Sequence, residues 1–112
     1  MTTAGGHPSD EDRERAALPV LERLLAASRA RDLDALAGCY DQDVVWLAAE
    51  GTTRGRGDAV ARHSAIAAAA TGWSPPQQAG AKAALRWSGA DGLEGVIVVE
   101  VRRGRVIFAA TG

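Results

Sequence analysis

His63 and Glu100 are the two side chains of this sequence with suitable chemistry for proton transfer at a predicted internal position. A histidine has an ordinary pKa near neutrality, so inside a pocket it can act as a base or donate a hydrogen bond to a ligand. A carboxyl group enclosed in a dry cavity has a raised pKa and can act as a general acid or base. Both residues are therefore candidate catalytic residues.

Each candidate also has a purely structural interpretation. His63 lies on the apolar stripe of a predicted helix, where it could be a core histidine satisfied by a backbone carbonyl, or point into a crevice. Glu100 lies near the end of a predicted strand beside Arg102 and Arg105, where it could be solvated or paired with an arginine. Structural ion-pair networks perturb pKa values as active sites do, so both interpretations stay open.

Aromatic side chains are candidates for ligand binding. Trp46 and Trp87 could stack on a flat apolar ligand, or they could fill the core. Tyr40 could donate a hydrogen bond to a ligand, or it could lie in the core with its hydroxyl satisfied. Three arginines could form an anion-binding patch or a solvated rim: Arg54, Arg56 and Arg62.

The composition argues against several other functions. The 112 residues carry a net charge of −1, which creates no general attraction to nucleic acid or to an anionic membrane. The single cysteine, Cys39, excludes an internal disulfide, and the two histidines lie at no metal-ligand spacing from it. No apolar run approaches the roughly 20 residues of a membrane span, and the N-terminal residues show no export signal. We therefore expect a cytoplasmic protein with no metal, cofactor, nucleic acid or membrane partner.

The elements that position these residues follow from local patterns. Residues 1–8 are predicted to be a disordered tail, followed by a single domain over residues 9–112. Ser9 can cap a first helix, because an acid follows it three residues later. Pro19 predicts either a kink in that helix or a later start near Leu18.

The rest of the chain alternates between helix and strand signals. Asp32 is predicted to cap a second helix over residues 33–40 that buries Leu33, and Asp58 a third that ends near Ala70. One glycine and two prolines predict an irregular loop over residues 71–78. The predicted strands, rich in β-branched and aromatic residues, are 44–49, 80–88, 93–102 and 105–111.

The last three predicted strands are apolar on both faces. Tight turns would place Glu100 opposite Ile107 and Leu85 near Val98. One face would then carry Leu85, Trp87, Val96, Val98, Glu100, Ile107 and Ala109, and the other Arg86, Ile97, Val99, Val101, Val106, Phe108 and Ala110. A sheet covered on one side only would alternate more cleanly. We therefore expect helices on one face and a second copy of the chain on the outer face.

Several segments, in this order and spacing, carry a family resemblance. They are RDLDAL at 31–36, DVVW at 43–46, TRGRGDAV at 53–60 and VEVRRGRV at 99–106. The chain resembles the NTF2-like superfamily, especially its SnoaL-like branch, from about Glu14 to Gly112. The resemblance implies an α+β cone, in which three helices from the N-terminal half pack on a curved antiparallel sheet around an apolar pocket. It also implies a homodimer.

The resemblance further implies which residues line the cone. By alignment, Trp87, Val98 and Glu100 face the pocket, and Trp46 joins them from the first strand. The expected substrate-binding residues are therefore Tyr40, Trp46, Trp87 and Val98, with Glu100 and His63 as catalytic residues. Ketosteroid isomerases of this family carry a catalytic aspartate at the position of Ala48, so the chemistry of those enzymes is not expected here.

Two functions of different classes remain. The first is an enzyme or accessory factor that moves a proton in the cyclisation, isomerisation or ring opening of a small apolar, polyketide- or terpenoid-like substrate. The second is a non-catalytic module for ligand binding, regulation or protein interaction, similar to domains appended to certain sigma factors. An open cavity reaching Glu100 or His63 favours the enzyme. A cavity filled by Trp46, Trp87 and Tyr40 favours the module.

Overall fold

The structure, a computed structural model, describes residues 9–112; the predicted tail at residues 1–8 lies outside the described residues. Its helices are α1 (Asp10–Ala30), α2 (Leu33–Cys39) and α3 (Arg56–Ala69). Its strands are β1 (Tyr40–Ala48), β2 (Gly51–Arg54), β3 (Ala70–Trp73), β4 (Gln77–Ala79), β5 (Lys82–Gly89), β6 (Glu94–Arg102) and β7 (Arg105–Thr111). Among these residues no helix is both long enough and apolar enough to cross a membrane.

Helix α1 begins where the sequence predicts. The Ser9 hydroxyl accepts a hydrogen bond from the Asp12 backbone N–H, and the Asp12 carboxylate accepts one from the Ser9 N–H. This capping box satisfies two N–H groups of the first turn, so the helix is stable ahead of Pro19 and continues through it. The alternative start near Leu18 is wrong.

The starts of the other two helices agree only in part with the predictions. Asp32 caps α2 as predicted, since its carboxylate accepts from the Ala35 N–H at 3.1 Å. Helix α3 instead has Gly55 as its N-cap, with a φ of 114°, and Asp58 lies in its first turn. Leu33, predicted to be buried, is 56% exposed as the first residue of α2, and the buried residues of that helix are Leu36 and Cys39.

Arg31, the C-cap residue of α1, is hydrogen-bonded to the end of α3. Its Nε donates to the Ala67 carbonyl at 3.1 Å, and its Nη2 donates to the Ala70 carbonyl at 3.2 Å. Ala67 lies in the last turn of α3 and Ala70 is its C-cap, so both carbonyls lie at a helix end that leaves acceptors without intrahelical partners and carries partial negative charge. The contact holds α3, and the side chains it carries, against α1.

The strands form one curved, open sheet in the order β2-β1-β7-β6-β5-β3. The expected α+β architecture and three helices are confirmed. The sheet is antiparallel except that β1 runs parallel to β7. The predicted loop at 71–78 contains two short strands, β3 and β4, which pair in turn with the same edge of β5. Residues 74–76 interrupt this edge strand, and the two prolines there are tolerated because an edge has no further neighbour to bond.

The strand register differs from the predicted one and exchanges the two faces of β6. Leu85 pairs with Ile97, not Val98, and Glu100 pairs with Phe108, not Ile107. A bulge between Glu100 and Val101 opposes two residues of β7 to one of β6. Because side chains alternate, a shift of one residue sends Val98 and Glu100 to the outer face.

The core lies between the inner face of the sheet and the helices. Helix α1 contributes the fully buried Leu21 and Leu24, and the sheet contributes Leu85, Ile97 and Val99. Strand β1 adds Val44 and Trp46 to the same core. The inner surface of the cone is therefore occupied by side chains over most of its depth.

Candidate functional site

His63 lies at the centre of a buried polar network. Its Nε2 lies 2.7 Å from the Ser28 hydroxyl, and its Nδ1 lies 2.6 Å from the Tyr40 hydroxyl. The Ser28 hydroxyl donates to the Leu24 carbonyl at 2.7 Å. Ser28, Tyr40 and His63 are each at most 1% exposed, so the network is sealed from solvent.

These contacts define the tautomer of the histidine. Because the Ser28 hydrogen is used by the Leu24 carbonyl, the Ser28 oxygen can only accept, and His63 Nε2–H donates to it. Nδ1 then carries the lone pair and accepts from the Tyr40 hydroxyl. The ring is neutral, and both of its nitrogens are engaged. Burial lowers the pKa of His63 from 6.5 to about 4, which keeps the ring neutral at physiological pH.

Aromatic rings enclose this histidine. Trp73 stacks on it with ring centroids 5.8 Å apart, and Trp46 and Tyr40 meet it edge-on at 6.4 Å and 5.8 Å. Of the two interpretations of His63, the contacts fit the core histidine, although its partners are hydroxyl groups and not a backbone carbonyl. A buried polar group whose partners are all present is also a stable arrangement.

A cleft of about 410 Å³ opens next to this core, between α3 and the ends of the strands. Trp46 and Trp87 line it together with Ile66 and Ala65. Arg62 and Glu50 supply its charged groups and are joined by an ion pair at 3.0 Å. Its remaining lining residues are Glu94, Gly95, Val96, Thr111 and Gly112.

Helix α3 separates the cleft from the buried network. Ala59, His63 and Ala67 recur every four residues and form its buried face. Arg62, Ala65 and Ile66 lie on another side of the helix and line the cleft. One helix thus presents a neutral histidine to the core and a guanidinium group to the cleft.

Trp87 takes its position in the cleft from Gly95, its partner on β6. A Cβ atom at Gly95 would lie 2.7 Å from the Trp87 Nε1 atom, closer than real side chains approach. The indole therefore lies across the glycine, and only glycine leaves room for it there.

The predicted site residues separate into three groups. Trp46 and Trp87 share the cleft, as expected. Tyr40 and His63 meet in the core but do not line the cleft. Val98 and Glu100 lie on the outer face, so their expected position inside the cone is wrong because of the register. Val98 is 37% exposed, and Glu100 pairs with Arg102 at 2.9 Å, as its structural interpretation anticipated.

The sequence reasoning missed Ser28 and Glu50. Ser28 lies on the buried, otherwise apolar face of α1, where a polar residue needs a hydrogen-bond partner. His63 has the same property on another helix, and that shared property is the signal which could have paired them. Glu50 follows β1 in a two-residue turn, and nothing in its local sequence indicates a role.

Within residues 9–112, no cluster of three or more His, Cys, Asp or Glu side chains could hold a metal.

Comparisons with known proteins support the fold. No protein-family model matches the sequence, and no curated protein matches it. An NTF-2 like protein of unknown function from Burkholderia xenovorans LB400 superposes with a TM-score of 0.71 at 24% identity, covering 89% of this chain and 84% of that one. A SnoaL-like protein of unknown function from Burkholderia thailandensis gives 0.69 at 18%, covering 88% and 94%. A candidate polyketide cyclase from Sinorhizobium meliloti gives 0.68 at 19%, covering 84% and 94%.

Each superposition covers more than four-fifths of this chain, which folds as three helices on a curved mixed sheet. The chain therefore has the NTF2-like cone fold, and the expected likeness to NTF2-like and SnoaL-like proteins is confirmed. At identities below 25% the likeness defines the fold, while function has to be argued from the site.

Proposed function

We propose that the protein binds a small, flat, mainly apolar molecule in the cleft between Trp46 and Trp87. The cleft itself carries the proposal, because about 410 Å³ lies within the range of small-molecule sites, which are roughly 300–1,000 Å³. The half-buried Trp87 indole offers an apolar surface at a small cost in side-chain entropy, and the buried Trp46 backs the cleft from the core side. The NTF2-like fold is also known for binding small ligands.

Catalysis is a second form of this proposal. Structural neighbours described as a candidate polyketide cyclase and a candidate ketosteroid isomerase support it. Neither Glu100 nor His63 lines the cleft, so a proton transfer in cyclisation, isomerisation or ring opening would use Glu50, whose carboxylate lies at its edge. Recovery of the ligand unchanged after incubation supports the non-catalytic module, and a new product supports the enzyme.

Titration with planar polycyclic compounds tests the binding proposal. We expect the indole N–H resonances of Trp46 and Trp87 to shift, while that of Trp73 serves as an internal control because it lies outside the cleft. Trp87→Ala should weaken binding about tenfold, since it removes one aromatic wall. If no planar compound perturbs the two cleft indoles, or if Trp87→Ala binds as tightly as the parent protein, the proposal is wrong.

We also propose that two copies of the chain pair through the outer face of the sheet. Val98 and Leu47, 37% and 42% exposed, lie there in register with Ala110, and Phe108 continues the same apolar surface. An exposed apolar patch of this kind is typical of an interaction site. The two faces of β6 are exchanged relative to the sequence prediction, but the outer surface of the sheet is still apolar.

Val98→Arg is expected to convert a dimer into a monomer, because it places a charge at the centre of that surface. Leu18→Arg is a matched control, since Leu18 is 38% exposed but lies on α1, away from the sheet. Sedimentation equilibrium of the parent protein, Val98→Arg and Leu18→Arg measures the oligomeric state of each. A monomeric parent protein, or a dimer that persists in Val98→Arg, contradicts the dimer proposal.

A further inference from the structure

Arg62 is the unusual charged residue of the cleft. Only 24% of its side chain is exposed, although it holds a charge that is costly to remove from water. Among the described residues its one hydrogen-bond partner is Glu50, whose carboxylate accepts from Nη1 at 3.0 Å. A guanidinium group has five N–H donors, so most of its capacity to donate is unused by the protein.

The partner of Arg62 is easily displaced. The Glu50 side chain is 71% exposed and lies in the short turn between β1 and β2. An ion pair with one solvated member contributes about 1 kcal/mol or less, because water competes for the exposed charge. A ligand anion inside the cleft would meet the same guanidinium in a less solvated place.

The other two arginines of the expected anion patch lie elsewhere. Arg56 donates from Nε to the Tyr40 carbonyl at 3.0 Å, which is a structural contact. Arg54 is exposed and pairs in register with Val45 at the edge strand. Arg62 alone of the three lines the cleft, one turn before Ile66 and on the wall shared with the indoles of Trp46 and Trp87.

We propose that the cleft selects planar molecules that carry an anionic oxygen group, such as a carboxylate or an ionised enol. The flat part lies against the Trp87 indole, and the anion replaces Glu50 on the fork of the Arg62 guanidinium. This inference rests on the proposed function and specifies the class of its ligand.

Calorimetric titration with 2-naphthoate and 2-naphthamide at neutral pH tests the inference, since the two probes share a ring system and differ in charge. We expect the acid to bind more tightly than the amide. Arg62→Gln should lower the affinity for the acid about tenfold, because one charge-assisted contact is lost, and should leave the affinity for the amide unchanged. The affinity of Arg62→Lys for 2-naphthoate should lie between those of the parent protein and Arg62→Gln. Glu50→Gln should bind 2-naphthoate more tightly than the parent protein, because it removes the carboxylate that competes for Arg62.

Arg54→Gln is the matched control, because it removes the same charge outside the cleft and should leave both affinities unchanged. Equal binding of acid and amide, unaffected by Arg62→Gln, overturns the inference and leaves the proposed function standing. An equal loss in Arg54→Gln and Arg62→Gln also overturns it, since the effect is then one of net charge. If neither probe binds, the proposed site fails together with the inference.

Discussion

Replacing Trp46 with alanine is expected to lower the free energy of unfolding by about 3–5 kcal/mol, the range for truncating a large buried aromatic side chain. Trp46 is 1% exposed and lies on β1, between β2 and β7. Its ring meets Tyr40 at 6.2 Å and His63 at 6.4 Å, so its removal leaves a cavity beside the polar network. Urea unfolding followed by circular dichroism measures the change.

Two further variants make this result specific. Trp46→Phe keeps an aromatic ring in place and should cost clearly less than Trp46→Ala. Leu93→Ala is a surface control, because Leu93 is 51% exposed and its truncation should change stability by less than about 0.5 kcal/mol. A loss below about 1 kcal/mol in Trp46→Ala would mean that the indole is not a packed part of the core.

Acid should destabilise the protein through His63. The pKa of His63 is about 4 in the folded protein and 6.5 in the unfolded chain. Between these pH values the unfolded chain binds a proton at His63 and the folded chain does not. The contribution of His63 to the free energy of unfolding is therefore fully present above pH 6.5 and is lost as the pH decreases toward about 4. At about 1.4 kcal/mol per pH unit, the whole loss is about 3 kcal/mol. Urea unfolding at several pH values between about 7.5 and 4.5 measures it.

A double variant isolates this contribution from that of the carboxylates. His63→Leu alone leaves the buried Tyr40 hydroxyl without a partner and should be costly at every pH. Adding Tyr40→Phe removes that hydroxyl, while Ser28 keeps its bond to the Leu24 carbonyl. The double variant should recover stability and lose the His63 part of the acid dependence. An identical pH profile in parent and double variant would contradict the assignment of a buried neutral histidine.

The inside of the cone is a packed core, and the proposed ligand cleft lies beside it. Trp46 connects the two regions, because its ring touches His63 on one side and lines the cleft on the other. A ligand in the cleft therefore leaves the Ser28–His63–Tyr40 network intact. Binding measured in His63→Leu, Tyr40→Phe should match binding in the parent protein for that reason.

Local sequence was sufficient for the caps of α1 and α2 and for the order of the three helices and the long strands. Ser9 with Asp12, and Asp32 with Ala35, form their hydrogen bonds within three residues, so no distant part of the chain is needed to specify them. The likeness to the NTF2-like fold also followed from sequence, because it depends on the order and spacing of such elements. Trp46 and Trp87, both expected to line a pocket, line the same cleft.

Tertiary structure alone decided which polar groups meet and which faces are inside. Ser28, Tyr40 and His63 come from three elements, and only the packing of α1 and α3 on β1 joins them. The bulge after Glu100 involves one residue, yet it moves Val98 and Glu100 to the outside because strand side chains alternate with a period of two. Tertiary structure also decides that Arg62, and not Arg54 or Arg56, lines the cleft. The other residues around Arg62 come from several strands that only the fold brings together.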